Sequence, residues 1–458
     1  MKTLGVAPLL LRGRIRAGQG LIDLLSVLAF AVGSWLLLTV LAGVRVFVDR
    51  QANPPAEFVA ALGANAADGI AQLPLWTLLA ACAGMLLIVP LLTLGAAAAR
   101  MGALGRDRRL STLRLLGVTG GQAVGLSTLE TMLAALAGGL VGMVVYLASV
   151  PAWAAISFQA APLGGGVMLL PAWAIAATLA GLVLLAGLSS VTALSRLRIS
   201  PLGVARRAPR PVLKLWRLAA VPLVIGLWLV VAPMIGAALW SIFALLVISG
   251  VLALFMGVVN LIGPWLLQLI GRIMARSGRP AVLVAGRRLQ ADPKAAWRSV
   301  GGLALIGFTG GALVCLPDLA ALDDDPLFGI LGADVRTGLY LTLAIAFIVA
   351  AVSTLLNQAS AVLDRRRELR QLANLGVPVQ LHDRTRLVEV VAPAAFSAIG
   401  SGALGYLFFS QLPNPAPTMG PAWFAAVLVA GLALVWAAGE ACRPVLRGAL
   451  AGVAVREE

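Results

Sequence analysis

Residues Asp364–Val377 read DRRRELRQLANLGV, and residues Asp107–Val118 read DRRLSTLRLLGV. Placing Gly376 on Gly117 brings Val377 onto Val118, Leu375 onto Leu116, Leu372 onto Leu113 and Leu369 onto Leu110. At the same offset Glu389 falls on Glu130, and Ser397 and Ser401 fall on Gly138 and Gly142. A small-xxx-small spacing of that kind lets helix backbones approach closely in lipid. In each copy three leucines stand at i, i+3 and i+6, which at about 3.6 residues per turn makes one apolar stripe. Around it lie Arg108, Arg109 and Arg114 in the first copy, and Arg366, Arg367, Glu368 and Arg370 in the second. Gly117 and Gly376 then end or bend the element, as glycine after an apolar run commonly does.

The flanks of both copies are oily. Of the 458 residues 60% are hydrophobic and only 12% charged, far outside globular usage. Runs of about 20 apolar residues, enough to cross about 30 Å of hydrocarbon, recur along the chain. About ten spans are expected, over Leu21–Val44, Leu73–Ala99, Ala123–Ser149, Ala172–Leu194, Leu218–Ile235, Leu239–Ile270, Val300–Leu316, Gly338–Val362, Leu387–Phe409 and Ala422–Ala441. The chain reads as an all-α integral membrane protein. The run after Arg12, Arg14 and Arg16 is too long for a signal-peptide core and stays as a helix.

The net charge of +16 belongs to topology. With the N-terminus inside, every Lys and Arg except Arg45, Arg50 and Arg336 falls on the inner side, as the positive-inside rule requires. Anionic inner-leaflet lipid reinforces that placement, and no nucleic-acid motif accompanies the charge. The expectation is a multi-pass protein of the cell inner (plasma) membrane, both termini cytoplasmic, with membrane lipids and no nucleic acid among its partners.

Before the first span, LLLRGRIRAGQG (Leu9–Gly20) is a basic amphipathic segment suited to the inner interface, and LVAGRRLQADPKAAWRS (Leu283–Ser299) precedes the seventh in the same way. Each half has an interfacial helix, two spans joined by an outer loop, a basic inner loop, then two more spans. Four spans return the chain to its starting side, so the halves are two parallel four-helix repeats. Residues 1–205 form the first repeat, 206–279 a basic linker with a central two-helix hairpin, and 280–458 the second repeat. The longest outer loops, Asp49–Gln72 and Pro317–Arg336, hold about 24 and about 20 residues, too few for a domain.

A basic amphipathic segment on the inner side either rests on the membrane surface or docks a cytoplasmic partner. Two near copies at equivalent positions suit a partner that is itself two-fold. The arginines, the Glu-Leu pair, the Leu-x-x-Leu-Gly ending and the glutamate opening the next span resemble the FtsX-like permease family. These are membrane subunits of ABC transporters, MacB and the lipoprotein extractor LolCE among them. The phrase RISPLGVARR (Arg198–Arg207) is similar to that family's usual repeat ending. The resemblance covers both halves but not the central hairpin. It implies a separate ABC ATPase subunit in two copies, with ATP and Mg bound there and one copy beneath each loop. The coupling residues it implies are Arg108, Arg109, Leu110, Leu113, Arg114, Leu116 and Gly117, with Arg366, Arg367, Glu368, Leu369, Leu372, Leu375 and Gly376. The copies depart from the family pattern in opposite ways. The first keeps Arg114 but has Arg109 where a glutamate is usual; the second keeps Glu368 but has Ala373 where an arginine is usual. Unequal contacts are expected. The large extracytoplasmic domain of MacB-like members is missing.

The chain holds no G-x-x-x-x-G-K-[ST] cradle, so no cofactor is expected in it and the chain is not expected to be an enzyme. Glu130 and Glu389 are intramembrane acidic residues and so candidate functional sites. Their depth, about a dozen ångströms by helix rise, favours reaching the interface or pairing with an arginine of the preceding loop. Glu440 is expected at an inner interface, and the acids of Leu322–Pro326 (LDDDP) as a solvated run without the spacing of a calcium loop. His382, the single histidine, is expected in an inner loop, which leaves no metal set. Trp76, Trp153, Trp173 and Trp423 are expected in an aromatic belt, and Cys82, Cys315 and Cys442 form no extracellular pair.

The function expected is export or extraction of a lipid-like or amphipathic substrate by an ATP-driven permease. One alternative is a mechanotransmitting subunit controlling an extracellular cell-wall hydrolase, with an additional extracytoplasmic protein as partner. Another is an ion-driven secondary transporter, which would place charges near mid-membrane.

Overall fold

The computed structural model describes residues 20–104, 120–195, 219–236, 242–315, 325–410 and 421–443. Helices dominate. The first group is α1 (Gly20–Ala52), α2 (Ala56–Leu62), α3 (Ala66–Ala71), α4 (Pro74–Leu104), α5 (Gly120–Ser149) and α6 (Ala172–Ser195). Next come α7 (Ala220–Gly236) and α8 (Ile242–Met274). The last group is α9 (Pro280–Ala291), α10 (Pro293–Cys315), α11 (Pro326–Asp364), α12 (Arg366–Asn374), α13 (Val379–Phe409) and α14 (Pro421–Ala441). Between α5 and α6 lies a small antiparallel hairpin, β1 (Ser157–Phe158) with β2 (Ala161–Pro162), Ser157 opposite Pro162 and Phe158 opposite Ala161.

This is an all-α membrane protein in architecture. Each expected span coincides with a helix, yet by length and composition seven helices among the described residues qualify as crossing a membrane. The number is eight if Ala56–Ala71 and Pro74–Gly84, which meet at 68°, form one broken span. That number covers the described residues alone: α7 has 17 of them, and the apolar stretch of α10 that was counted is Val300–Cys315. The expected interfacial segment Leu9–Gly20, apart from Gly20 itself, and the basic linker lie outside the described residues.

Two expected outer loops prove partly helical. Residues 56–71 wind into α2, a 3-10 turn at Gly63–Asn65, and α3. Helix α11 begins at Pro326, where the Asp325 carboxylate accepts from the Leu327 N–H at 3.0 Å and Pro326 occupies the first turn. Asp334 and Arg336 are therefore helical rather than in a loop.

Lipid tails are as apolar as leucine, so close backbone approach must hold such helices together. Helix α1 packs on α4 and α5, and α5 packs on α6. Helix α10 packs on α11 and α13, and α13 packs on α14. Helices α4 and α11 meet and join the two groups, while α8 leans on α4, α9 and α10. Glycines set the tightest crossings. A Cβ at Gly138 or Gly142 would collide with backbone atoms of α1 around Val27 and Ala31. On the α10–α13 crossing, Ser397 and Ser401 are buried, and glycines of both helices permit contact: Gly307 and Gly311 press on the carbonyls of Ala398 and Gly402, and Gly405 on that of Phe308.

Candidate functional site

Helix α11 ends at Asp364, and the chain turns through Arg365 into the short α12. Gly376 has φ +80°, and the Val377 N–H reaches back to the Leu372 carbonyl at 3.1 Å, which closes α12 as a glycine-terminated helix does. Pro378 then precedes α13. The two long helices are thus joined by a compact basic hinge.

The leucine stripe is graded along this hinge. Leu369 is buried and anchors α12, Leu372 is half-buried, and Leu375 is 80% exposed. Glu368 is exposed. Arg366 and Arg367 form the first turn of α12, with side chains outside the described set. The exposed apolar surface here is therefore centred on Leu375 and Leu372, while Leu369 serves the fold. The first copy, Arg108, Arg109, Leu110, Leu113, Arg114, Leu116 and Gly117, lies outside the described residues.

Behind the hinge, Glu389 joins three helices. Its carboxylate accepts from Arg365 at the end of α11 at 2.9 Å and from Arg288 of α9 at 3.5 Å. All three side chains are largely shielded from solvent, which strengthens the attraction relative to a surface pair. Glu130, its counterpart, sits half-buried on α5. His382 is in the first turn of α13 rather than in a loop, and is 5% exposed, because the turn after Gly376 is short. Glu440 pairs with Arg443 at the end of α14.

The opposite end of the bundle carries a constellation that sequence reasoning missed. From Arg365 to Asp334 along α11 is about 45 Å by helical rise. The buried Asp334 accepts from the Trp76 indole N–H at 2.7 Å and from the Gln159 backbone N–H at 2.8 Å. Arg50, also buried, donates to the carbonyls of Phe158 at 2.6 Å and Pro162 at 2.9 Å. These contacts hold the hairpin, whose turn residues Gln159 and Ala160 both have φ 55°. Positive φ at both central positions is the two-residue hairpin geometry, normally given to Asn or Gly, and non-glycine residues there cost about 1–2 kcal/mol each. Trp76 is 2% exposed and belongs to this seal rather than to a lipid-facing belt, whereas Trp173 is 74% exposed. Asp334→Ala would leave two donors without their acceptor, at about 3 kcal/mol or more for two hydrogen bonds to a charged group. Thermal unfolding in detergent should show that loss, and Asp334→Asn, which keeps an acceptor, should show less of it.

The signals for these features were present but local. Asp325-Pro326 is a helix-start pair, and Gly307 and Gly311 are small residues four apart. None of the three cysteines forms a disulfide. Among the described residues no group of three His, Cys, Asp or Glu comes together to hold a metal. No protein-family profile matches the sequence, and no curated protein matches it significantly.

Proposed function

We propose that this chain is the transmembrane permease subunit of an ATP-driven ABC transporter, moving a lipid-like or amphipathic substrate. A separate ATPase, in two copies, docks on two cytoplasmic hinges, one at α12 and one at Arg108–Gly117. The observation that carries this reading is the exposed Leu375 just past the end of α12, a short helix pinned by Leu369 and closed by Gly376 between two long helices. An apolar side chain left outside at the basic end of a membrane bundle is suited to a protein partner.

The packing of the helices supports the two-repeat layout behind it. The pairings α1–α4, α1–α5 and α5–α6 recur as α10–α11, α10–α13 and α13–α14. With the second helix of each quartet meeting at the centre, closure of an ATPase dimer on the two hinges would tilt α4 against α11. The chain then acts as a mechanical element, and nucleotide chemistry stays on the partner.

A photo-crosslinking residue at position 375 tests the contact in native membranes. The expected product is an adduct with an ABC ATPase that diminishes when the cells are depleted of ATP. Adducts with lipid alone would refute docking at α12.

A further inference from the structure

We propose that the cavity behind α12 is a binding site for a phosphate group, taken from a phospholipid headgroup or from free phosphate. The site stands on its own geometry and holds whether or not an ATPase docks on α12.

The cavity is lined by Arg288, Gln358, Arg365, His382, Arg386 and Glu389, drawn from α9, α11 and α13. It leaves about 30 Å³ for the centres of water-sized atoms. At roughly 10–15 Å³ for one such centre, that is room for a pair of oxygens, as many as the non-bridging oxygens of a phosphodiester. Leu369 of α12 closes one side.

Among the described residues, charge at the cavity is unbalanced. Three guanidiniums, Arg288, Arg365 and Arg386, and the Glu389 carboxylate line it, and Asp383 stands beside Arg386. Glu389 is shared between Arg288 and Arg365. Asp383 stands 3.6 Å from Arg386 Nη2, an ion pair longer than a hydrogen bond. Among the described side chains one positive charge is left over. A shielded excess of charge is costly, so an anion is the natural complement.

Hydrogen-bonding capacity is also unspent. Arg386 is 6% exposed and gives Nη1 to the Gly439 carbonyl at 2.5 Å. Its Nε and Nη2 have no hydrogen-bond partner among the described residues, and neither does Nε2 of the buried His382. Nε and Nη2 of one guanidinium form the fork that matches two oxygens of a phosphate. A core built for packing alone would not leave those donors idle.

The full chain, delipidated in a maltoside detergent and phosphate-free buffer, gives the test. Thermal unfolding would be followed with inorganic phosphate, acetate or chloride at matched ionic strength, and with added phosphatidylglycerol. The expected result is protection by phosphate, by phosphatidylglycerol or by both, beyond that by acetate and chloride. Protection by the lipid alone identifies a headgroup, and protection by inorganic phosphate alone a soluble phosphate. In Arg386→Gln, and in Arg288→Gln, the apparent affinity of the protecting species should fall about tenfold. If Arg386→Gln fails to fold, Arg288→Gln and the wild-type comparison decide. Equal protection by acetate, no protection by either phosphate source, or undiminished protection in the folded variants would overturn the assignment.

Discussion

Leu113→Asp combined with Leu372→Asp should uncouple the chain from the proposed ATPase, with loss of both stable association and stimulated ATP hydrolysis. An apolar anchor at a docking centre typically contributes about 2 kcal/mol or more, so one carboxylate there weakens the contact at least about thirtyfold. Two such changes on a partner held at both hinges multiply. The graded stripe supplies the controls. Leu375→Asp should reduce association while leaving thermal stability unchanged, because Leu375 is 80% exposed. Leu369→Ala should do the reverse, lowering stability by about 2–4 kcal/mol as buried leucine truncations do. Unchanged ATPase coupling in the double variant would mean that neither hinge is the docking site.

Gly142→Leu and Gly311→Leu should each prevent accumulation of folded protein. A Cβ at Gly142 would run into the Ala31 carbonyl, and one at Gly311 into the Gly402 carbonyl. Neither neighbour is a flexible side-chain end that can swing away; both are backbone atoms of a packed helix. Overpacking costs about 1–3 kcal/mol where side chains can yield, and more where they cannot. The matched control is Gly400→Leu, on α13, the helix that Gly311 faces, but with nothing within 4 Å of its Cβ position. It should be tolerated, since leucine is a better helix former than glycine by up to about 1 kcal/mol. Size-exclusion profiles of the three variants from membranes check the contrast. A monodisperse Gly311→Leu protein with wild-type melting would contradict the packing described.

Much of the helical frame was legible because apolar length and small-residue spacing act locally. Gly138 and Gly142 could be recognised as an approach surface before their partner was known. Their counterparts Ser397 and Ser401 fall at the corresponding crossing, where the closest backbone approach is made by Gly307 and Gly311 of α10 and Gly405 of α13. Sequence registers which residues are small, not which of them will meet a facing backbone. Helix ends in the loops were misjudged for a different reason. Asp325-Pro326 and Gly376-Val377-Pro378 are strong local punctuation, yet a surrounding polar composition suggested loop for Asp334 and His382. The seal of Asp334 on Trp76 was beyond sequence reasoning altogether, since its two residues are 258 positions apart. In the candidate site the leucine period located the stripe. Only packing could distinguish Leu369, which anchors, from Leu375, which is offered. The acidic pair was read by depth, and the ring of Arg288, Arg365 and Glu389 needed α9 to fold back onto α13, a tertiary fact.

The most direct test is the composition of the complex that this chain forms in its own membrane. Affinity purification of the full chain in mild detergent should bring down an ABC ATPase at two copies per chain, with ATP hydrolysis that depends on the chain being present. A stable, monodisperse preparation that carries no ATPase, and that shows ion-driven flux when reconstituted in liposomes, would contradict it.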